Sequence, residues 1–340
     1  MKKLIATAII GAGVLSTSAS VYAADKLEEV KARGVMKCGI HPGKAGFSTP
    51  DTKGNWTGLD VELCKAVAAA VFGDDSKVEF ITMNSRNRLT ALVTDEIDML
   101  ARSTTFTATR DGLNGVDLTT PWFYDGQALM VKKELGVNSI EELDGATICT
   151  YPGTTSEKNI NDYFESRGLS YKALIVEGSA ESTAAYLANR CDAVTNDASA
   201  LAADRQGMPD PSANVILPQR ISKEPLGAYV KQGDNDWRDI VTMVGYALIE
   251  AEELNVTKDT AQELAKSTKN IAVQRLLGTD GDLGTALGLS SDWALKAIEA
   301  TGNYGEIYAN HVGLNSPMKF ERGANALHVD GGLMYSPPFR

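Results

Sequence analysis

A pattern of carboxylate-binding residues follows one predicted strand of the chain. Residues 97–101 are predicted to form a buried strand, and Ser103, Thr105 and Arg110 come shortly after it. Because residues two apart in an extended segment point the same way, we expect the hydroxyls of Ser103 and Thr105 to face one side. Two hydroxyls and a guanidinium can hold a carboxylate, since arginine engages both of its oxygens at once. A polar loop with a surface arginine is the alternative, and this segment alone does not decide between them.

Residues of complementary chemistry occur later in the chain. Thr155 and Ser156 lie in the segment 153–156, which connects a predicted strand to a predicted helix. Free backbone N–H groups and the dipole at such a helix start attract an anion. Asp197 follows the predicted strand 193–196 and can accept an ammonium group, although in isolation a helix N-cap is the more usual role for it. Together, the two sets suit a zwitterion held at both ends, which favours an α-amino acid as the ligand.

Signatures of catalysis are missing from the sequence. It contains three histidines, and it has no nucleophile elbow, no HExxH helix and no phosphate-binding P-loop. No G-x-G-x-x-G segment follows a strand, so a dinucleotide site is not expected. We therefore predict a binding protein with no cofactor, no metal and no catalytic residue.

The elements that must position these residues form two similar units. In the first, predicted strands and helices alternate as β-α-β-α-β over residues 35–40, 60–71, 78–83, 86–94 and 97–101. The same alternation recurs over residues 146–150, 157–166, 172–176, 181–189 and 193–196. Such a pattern is typical of a parallel sheet with helices on both faces. Ligands bind outside the carboxyl ends of the strands in such sheets, and Ser103 and Asp197 follow two of these ends.

The first 23 residues have the features of a secretory signal peptide. Two lysines give a positive start, residues 4–15 form an apolar run, and Val21-Tyr22-Ala23 provides a cleavage site. The run is too short for a permanent membrane helix, and the first cysteine, Cys38, lies too far along the chain to carry a lipid anchor. We expect a soluble periplasmic protein. Its formal net charge of −11 offers no basic surface for nucleic acid.

Four cysteines are more consistent with disulfides than with a metal site. Their spacings match no zinc pattern, and export makes disulfides permissible. Four cysteines allow three connectivities. We favour Cys38–Cys64 and Cys149–Cys191, because each pair would lie within one of the two β-α-β-α-β units. Four buried thiols are the alternative.

Five segments, 71–75, 103–110, 142–147, 221–227 and 331–338, together support a family resemblance. With them, the chain after the leader resembles the periplasmic substrate-binding proteins of polar amino-acid ABC transporters. It is most similar to the longer, general L-amino-acid-binding subfamily. The resemblance implies a two-lobed α/β fold, the type II periplasmic-binding-protein fold. Each lobe would be a doubly wound, mainly parallel sheet, with a helical extension at the C-terminus.

The resemblance also implies how the chain is divided. Residues 1–23 are the signal peptide, residues 24–125 and 226–340 form lobe 1 with the extension, and residues 126–225 form lobe 2. The ligand cleft lies between the lobes, and two connecting strands act as a hinge.

Residue roles follow from the same resemblance. Arg110 is expected to bind the α-carboxylate of the ligand, with help from Ser103 and Thr105. Asp197 is expected to accept the α-ammonium group. Either Thr155 or Ser156 is expected to line the cleft from the second lobe.

Three further residues bear on which amino acid binds. His41 and Lys44 fall in the first loop, where many relatives place an aromatic residue against the ligand, and Lys44 departs from that pattern. Arg88 corresponds to a residue that meets the side-chain carboxylate in relatives selective for glutamate and aspartate. A solvated charge at a helix end is the alternative for Arg88. The cationic set favours glutamate, aspartate and their amides, glutamine and asparagine.

The expected partners are an L-amino acid and the inner-membrane permease of an ABC transporter, with the protein itself a monomer. Closure of the lobes around the ligand would capture it for delivery. One alternative is a periplasmic enzyme on the same scaffold, of the cyclohexadienyl or arogenate dehydratase type, which needs a general acid in the cleft. Another is an amino-acid sensor that serves a chemoreceptor.

Overall fold

The computed structural model describes residues 25–340, so the predicted signal peptide at 1–23 lies outside the described residues. Within the described part, the strands are β1 (Met36–Ile40), β2 (Thr49–Pro50), β3 (Trp56–Thr57), β4 (Val78–Thr82), β5 (Met99–Thr105), β6 (Val116–Asp125), β7 (Gln127–Lys132), β8 (Thr147–Thr150), β9 (Lys172–Ile175), β10 (Ala193–Asp197), β11 (Asn214–Ile216) and β12 (Glu224–Lys231).

The helices of the same residues are α1 (Lys26–Arg33), α2 (Leu59–Phe72), α3 (Arg88–Val93), α4 (Ala108–Leu113), α5 (Thr155–Glu165), α6 (Ser179–Leu187), α7 (Ala198–Gln206), α8 (Asn235–Glu253), α9 (Ala261–Ser267), α10 (Ile271–Leu276), α11 (Leu283–Ala286), α12 (Trp293–Thr301) and α13 (Tyr304–His311). None of them, in the part of the chain that the structure describes, is long and apolar enough to cross a membrane.

The first sheet has five strands in the order β4-β1-β5-β12-β6. Strand β1 pairs in parallel with both β4 and β5, whereas β12 pairs antiparallel with β5 and β6. We call this sheet and the helices packed on it the first lobe. Helix α8 presents an apolar face that includes Trp237, Val241 and Leu248, and this face is fully buried in the core of the lobe.

The second sheet also has five strands, in the order β11-β7-β10-β8-β9. Strand β8 pairs in parallel with β9 and β10, while β7 pairs antiparallel with β10 and β11. We call this sheet and its helices the second lobe. In both sheets the strands that the sequence predicted as two β-α-β-α-β units are the parallel ones.

The chain passes between the two lobes twice. It leaves the first sheet at the end of β6 and enters the second at Gln127, and it returns between β11 and the start of β12 at Glu224. The two passages are bonded to each other. Ile221 donates its N–H to the carbonyl of Gln127 at 3.0 Å, and Gln127 donates its N–H to the hydroxyl of Ser222 at 3.2 Å. The two lobes are therefore joined by two adjacent, hydrogen-bonded backbone segments.

Two disulfides join cysteines within the lobes. Cys38 on β1 is bonded to Cys64 on α2, and Cys149 on β8 is bonded to Cys191, which precedes β10. These are the pairings that the sequence favoured. Each bond ties a central strand to the element beside it, so neither spans the passage between the lobes.

The helical C-terminal region packs mainly on the first lobe but also contacts the second. Helices α12 and α13 bury Trp293, Ile298 and Tyr308 against α2 and α8. Further on, Met318 packs against Ala202 on helix α7 of the second lobe. The C-terminal region therefore contacts both lobes.

Candidate functional site

A buried cavity lies between the two sheets, at the carboxyl ends of their parallel strands. The lining side chains nearly fill it and leave a cavity of about 40 Å³. Four of the six parallel strands supply a lining residue at this end: His41 follows β1, Thr105 ends β5, Tyr151 follows β8 and Asp197 ends β10. This is the edge of an open α/β sheet at which ligands bind.

Most of the predicted site residues line this cavity. Eight of them do so: His41, Lys44, Arg88, Ser103, Thr105, Thr155, Ser156 and Asp197. Arg110 is buried close by but is not part of the lining. Its Nη1 donates to the carbonyl oxygen of Thr105 at 2.7 Å, which places the guanidinium beside the end of β5.

The first lobe lines the cavity with cations. Arg88 and Arg102 are 4% and 7% exposed, so the alternative of Arg88 as a solvated helix-end charge is wrong. Arg102 donates from Nε to the carbonyl of Met83 at 2.6 Å, and Arg88 from Nη2 to the carbonyl of Gly153 at 3.4 Å. Among the described residues, neither guanidinium forms an ion pair with a carboxylate.

Burial makes these cations unusual electrostatically. Desolvation lowers the pKa of Arg102 to about 10, and it lowers the pKa of Arg88 well below its usual range. The charges of Arg102 and Arg110 lower the pKa of Arg88 further. Buried like charges without counter-ions are stable only where an anion or a polar network compensates them.

His41 and Lys44 also line the cavity from the first lobe. Burial lowers the pKa of His41 well below its ordinary value, and the charges of Arg102 and Lys44 act in the same direction, so its ring is neutral. Its Nδ1 accepts the N–H of Gly43. Lys44 Nζ lies 3.8 Å from the centre of the Phe47 ring, so the aromatic residue of this loop makes a cation–π contact with the lysine.

The end of β5 departs from regular strand geometry. Ser103 has a φ of 43°, and the pairing of β5 with β12 shifts register between Gly227 and Ala228. This interrupts the alternation of side chains, and the consecutive residues Arg102 and Ser103 both line the cavity. The sequence analysis expected residues two apart on this strand to face the same side. Ser103 and Thr105 do share the cavity, but Arg102, which directly precedes Ser103, shares it as well.

Ser103 is held by a buried acid that the sequence did not reveal as part of the site. Its N–H and its hydroxyl both donate to Asp60 Oδ2, each at 2.9 Å. Burial raises the pKa of Asp60, and the Lys44 charge and the hydrogen bonds from Ser103 oppose that rise. Asp60 thus holds the strand end in its bent conformation.

The second lobe lines the cavity with acids. Asp197 is 8% exposed, and its Oδ1 has no hydrogen-bond partner among the described residues. Asp197 occupies the N-cap position of α7, but its side chain does not cap the helix. The helix N-cap role that the sequence offered as the alternative is therefore not the role of the Asp197 carboxylate.

Two of these acids have raised pKa values. Burial raises the pKa of Asp197 to about 7, and the carboxylates of Asp125 and Glu224 add to that rise. Burial also raises the pKa of Asp204 to about 6, while a hydrogen bond from the hydroxyl of Ser179 opposes the shift. Asp204 and Ser179 line the same cavity and had no sequence signal.

The start of α5 also faces the cavity, between the two charged walls. The helix begins at Thr155, two residues earlier than predicted, and Thr154 caps it by accepting the N–H of Glu157. The hydroxyl of Thr155 donates to Glu224 Oε2 at 2.9 Å and lies 3.4 Å from the hydroxyl of Thr105. Glu224 starts β12, so this contact links the cavity to the hinge.

Direct contacts across the cleft show that the lobes are closed. Lys44 Nζ donates to the hydroxyl of Ser199 at 3.1 Å, and the hydroxyl of Ser85 donates to the carbonyl of Pro152 at 2.9 Å. Gly153 has a φ of 78°, and a Cβ there would lie 2.7 Å from the carbonyl oxygen of Ser85. Only glycine fits this approach, so the lobe-to-lobe contact depends on it.

A two-lobed α/β fold with a charged, buried cleft at the strand ends defines a solute-binding protein. The chain belongs to the bacterial extracellular solute-binding proteins, family 3, whose family model matches residues 36–314. The family resemblance and the type II fold predicted from the sequence are confirmed.

Curated relatives and a solved structure align with nearly the whole chain. The general L-amino acid-binding periplasmic protein AapJ of Rhizobium johnstonii is 47% identical over 342 residues, covering 100% of both chains. The glutamate/glutamine/aspartate/asparagine-binding protein BztA of Rhodobacter capsulatus is 47% identical over 322 residues, covering 95% of each. A periplasmic binding protein from Brucella ovis with glutathione bound is 45% identical with a TM-score of 0.91, covering 93% of this chain and 100% of that one.

Proposed function

We propose that this protein binds polar L-amino acids in the cavity between its lobes, with glutamate, aspartate, glutamine and asparagine preferred, for uptake by an ABC transporter. The observation that carries the proposal is a pair of buried, unpartnered groups of opposite charge. Within one cavity, Asp197 Oδ1 and Arg88 Nε both lack hydrogen-bond partners among the described residues. Leaving such groups unpaired costs several kcal/mol each, on the order of the hydrogen bonds that a zwitterion supplies. The names of AapJ and BztA support the same ligand class.

Each end of the ligand has a proposed partner. Arg110 binds the α-carboxylate with the hydroxyl of Thr105, because the guanidinium is fixed beside the end of β5. Ser103, whose hydroxyl donates to Asp60, borders this contact. Asp197 accepts the α-ammonium group, since it lines the cavity and its buried Oδ1 has no hydrogen-bond partner among the described residues, where no lysine or arginine lies within ion-pair distance of it.

The remaining roles concern the second lobe and the ligand side chain. Thr155 and Ser156 present the start of α5 to the ligand. Arg88 meets a side-chain carboxylate or amide, and His41 and Lys44 border the same region.

Capture occurs by closure of the two lobes. Residues 24–125 with 226–340 move as lobe 1, residues 126–225 move as lobe 2, and the paired crossing at Gln127 and Ser222 is the hinge. The ligand bridges acids on one lobe and cations on the other, so it binds the closed form more tightly and shifts the population toward it. The closed form then delivers the amino acid to the inner-membrane permease.

The proposal also includes the location, assembly state and lack of catalysis that the sequence analysis predicted. Residues 1–23 direct export, the mature protein is a soluble periplasmic monomer without a lipid anchor, and it catalyses no reaction. A dehydratase on this scaffold needs a general acid in the cleft, and Asp197 is better used as the ammonium partner. Turnover of prephenate or arogenate by the purified protein would reverse that assignment.

The decisive experiment measures ligand preference directly. The mature protein is unfolded in guanidinium, dialysed and refolded to remove any carried ligand, and its melting temperature is measured with each of the twenty amino acids and with glutathione. We expect the largest stabilisation from glutamate, aspartate, glutamine and asparagine, followed by calorimetric titration of those four. A preference for leucine or arginine over glutamate would refute the side-chain assignment, and stabilisation by no amino acid would refute the function.

The α-carboxylate assignment has its own variant. Arg110→Ala should weaken every amino acid alike, by roughly 100-fold or more, because removing one partner of a buried charge costs about 2–5 kcal/mol. Arg238→Ala, on the exposed face of α8, is the matched control and should bind as the unchanged protein does. Near-normal binding by Arg110→Ala would show that another cation holds the α-carboxylate.

A further inference from the structure

The family resemblance leaves one buried cation of the cavity without a role. Arg102 is 7% exposed and lines the cavity next to Ser103. Its Nε is used in the hydrogen bond to Met83, but no described residue accepts a hydrogen bond from Nη1 or Nη2. Neither of these nitrogens is fully enclosed, and the side chain that carries them lines the cavity. The two terminal nitrogens of a guanidinium are the pair that binds a carboxylate in a bidentate manner.

The number of guanidiniums exceeds what a monocarboxylic ligand needs. Arg88, Arg102 and Arg110 are all buried around one cavity, and each lies close enough to another for their charges to repel. An amino acid with an uncharged side chain brings one carboxylate, which Arg110 takes in the proposed function. The other two guanidiniums then have only the protein's own carboxylates, Asp60 and Asp197, to offset their charges. A ligand with a second carboxylate relieves the repulsion.

The bent conformation of the strand end is what brings Arg102 into the site. A regular strand would point Arg102 and Ser103 to opposite faces. The left-handed conformation of Ser103, held by two hydrogen bonds to Asp60, lets both residues line the cavity. The structure therefore maintains an uncommon backbone conformation at the point where this cation enters the cleft.

A hydroxyl from the opposite lobe faces the same region. Tyr151 lines the cavity, and its oxygen accepts a hydrogen bond from Asn196 Nδ2 at 2.7 Å, which leaves the hydroxyl proton available to a ligand. Burial raises the pKa of Tyr151 to about 12, so the group stays protonated. The positive charge of Arg102 opposes that rise, which places the two groups within electrostatic reach of each other.

We propose that Arg102, together with Tyr151 from the opposite lobe, binds the side-chain carboxylate of an acidic ligand and makes the site select glutamate and aspartate over their amides. This inference rests on the proposed function, and it adds Arg102 to the contact with the side chain already given to Arg88. Because the two groups come from different lobes, the second carboxylate also helps to hold the lobes closed.

The test compares one ligand pair across matched variants. Calorimetric titration with L-glutamate and L-glutamine is performed on the unchanged protein, on Arg102→Met and on Arg102→Lys, at one pH and salt concentration. Arg102→Met should weaken glutamate on the order of 100-fold and glutamine less than about fivefold, because only glutamate loses a charged partner. Arg102→Lys keeps the charge but loses the planar fork, so its loss for glutamate should be intermediate.

Binding of glutamine in Arg102→Met serves as the check that the variant is folded. An equal loss for both ligands would overturn the inference and assign Arg102 to the α-carboxylate. An unchanged affinity for glutamate would also overturn it.

A measurement on the unchanged protein needs no variant. Glutamate should bind at least about 30-fold more tightly than glutamine or glutamate γ-methyl ester, and equal affinities would overturn the inference. If the unchanged protein binds neither amino acid, the proposed function itself fails, which is a distinct result.

Discussion

Asp60, which lies behind Ser103 in the first lobe, and Asp197, which lines the cavity from the second lobe, are acids of similar burial in different surroundings. Asp60 is 5% exposed and accepts two hydrogen bonds from Ser103. Asp197 is 8% exposed and keeps one oxygen without any partner in the described structure. The fold satisfies the first carboxylate and leaves the second unsatisfied. A buried acid with its hydrogen bonds made is part of the scaffold, and one left open at a cavity is positioned for a ligand.

The two walls of the cavity also differ in charge. The first lobe contributes Lys44, Arg88 and Arg102, and the second lobe contributes Asp197 and Asp204. Neither wall alone can compensate both ends of a zwitterion. Selectivity and closure therefore depend on one arrangement, because the ligand is fully paired only when both walls contact it.

Of the variants that test the difference between these two acids, Asp197→Asn should have the largest effect on ligand affinity. The amide cannot neutralise the α-ammonium group and presents N–H donors to it, so affinity for glutamate should fall by roughly 100-fold or more. Asp60→Asn keeps an oxygen that can accept both hydrogen bonds from Ser103, so its loss should stay below about tenfold.

Calorimetric titration measures both variants, with Asp162→Asn on the exposed face of α5 as the control. If Asp60→Asn proves as damaging as Asp197→Asn, the distinction between a scaffold acid and a ligand acid is wrong.

Sequence patterns located the two walls but not all of their members. The buried runs at 97–101 and 193–196 alternate with helical segments, so the ends of β5 and β10 could be placed at one edge and Ser103 and Asp197 identified. The strand β6 was missed, because Pro121 and two aspartates disguise a segment whose burial is set by pairing with the distant β12.

Arg102 and Asp204 were missed for a different physical reason. The entry of Arg102 into the cavity depends on the left-handed backbone of Ser103, and no local pattern predicts that conformation for a serine. Asp204 lies on α7, and its hydroxyl partner Ser179 lies at the start of α6. How these two helices pack at the cavity is set by tertiary structure, so sequence periodicity carries no information about it.

Binding should depend on pH because of Asp197. Its pKa is raised to about 7 in the ligand-free protein, and only the ionised carboxylate pairs with an ammonium group. Affinity for glutamate should be nearly constant above pH 7 and fall by up to about tenfold per unit below it, giving about a 30-fold loss between pH 8 and pH 5.5. Titrations across that range measure it, and equal affinity at the two ends would contradict the role of Asp197.

The stability of the ligand-free protein should depend on pH in the opposite sense. The folded pKa of Asp197 lies above its unfolded value, so the folded state holds a proton that the unfolded chain releases. This contribution is fully present below about pH 4 and is lost as the pH rises through 7. Ligand-free Asp197→Asn should therefore melt higher than the unchanged protein at pH 8, and the gap should narrow by pH 5 and close only below about pH 4. A constant gap would mean that the carboxylate does not titrate in this range.

The smallest expected change in affinity comes from removing the direct hydrogen bond between the two walls. Lys44 Nζ donates to the hydroxyl of Ser199 across the cleft, and Lys44 also rests on the Phe47 ring. Ser199→Ala removes one hydrogen bond and leaves the lysine packed, so affinity for glutamate should fall by about fivefold, which corresponds to about 1 kcal/mol. Lys44→Met should lose slightly more, because its charge also lowers the pKa of Asp197.

The double variant tests whether the two residues act through one contact. If they do, Lys44→Met with Ser199→Ala should lose little more than Lys44→Met alone, because the hydrogen bond can be removed only once. Lys158→Met, on the exposed side of α5, controls for the loss of a lysine. Fully additive losses would show that the bond does not contribute to closure, and the charged walls would then meet through the ligand alone.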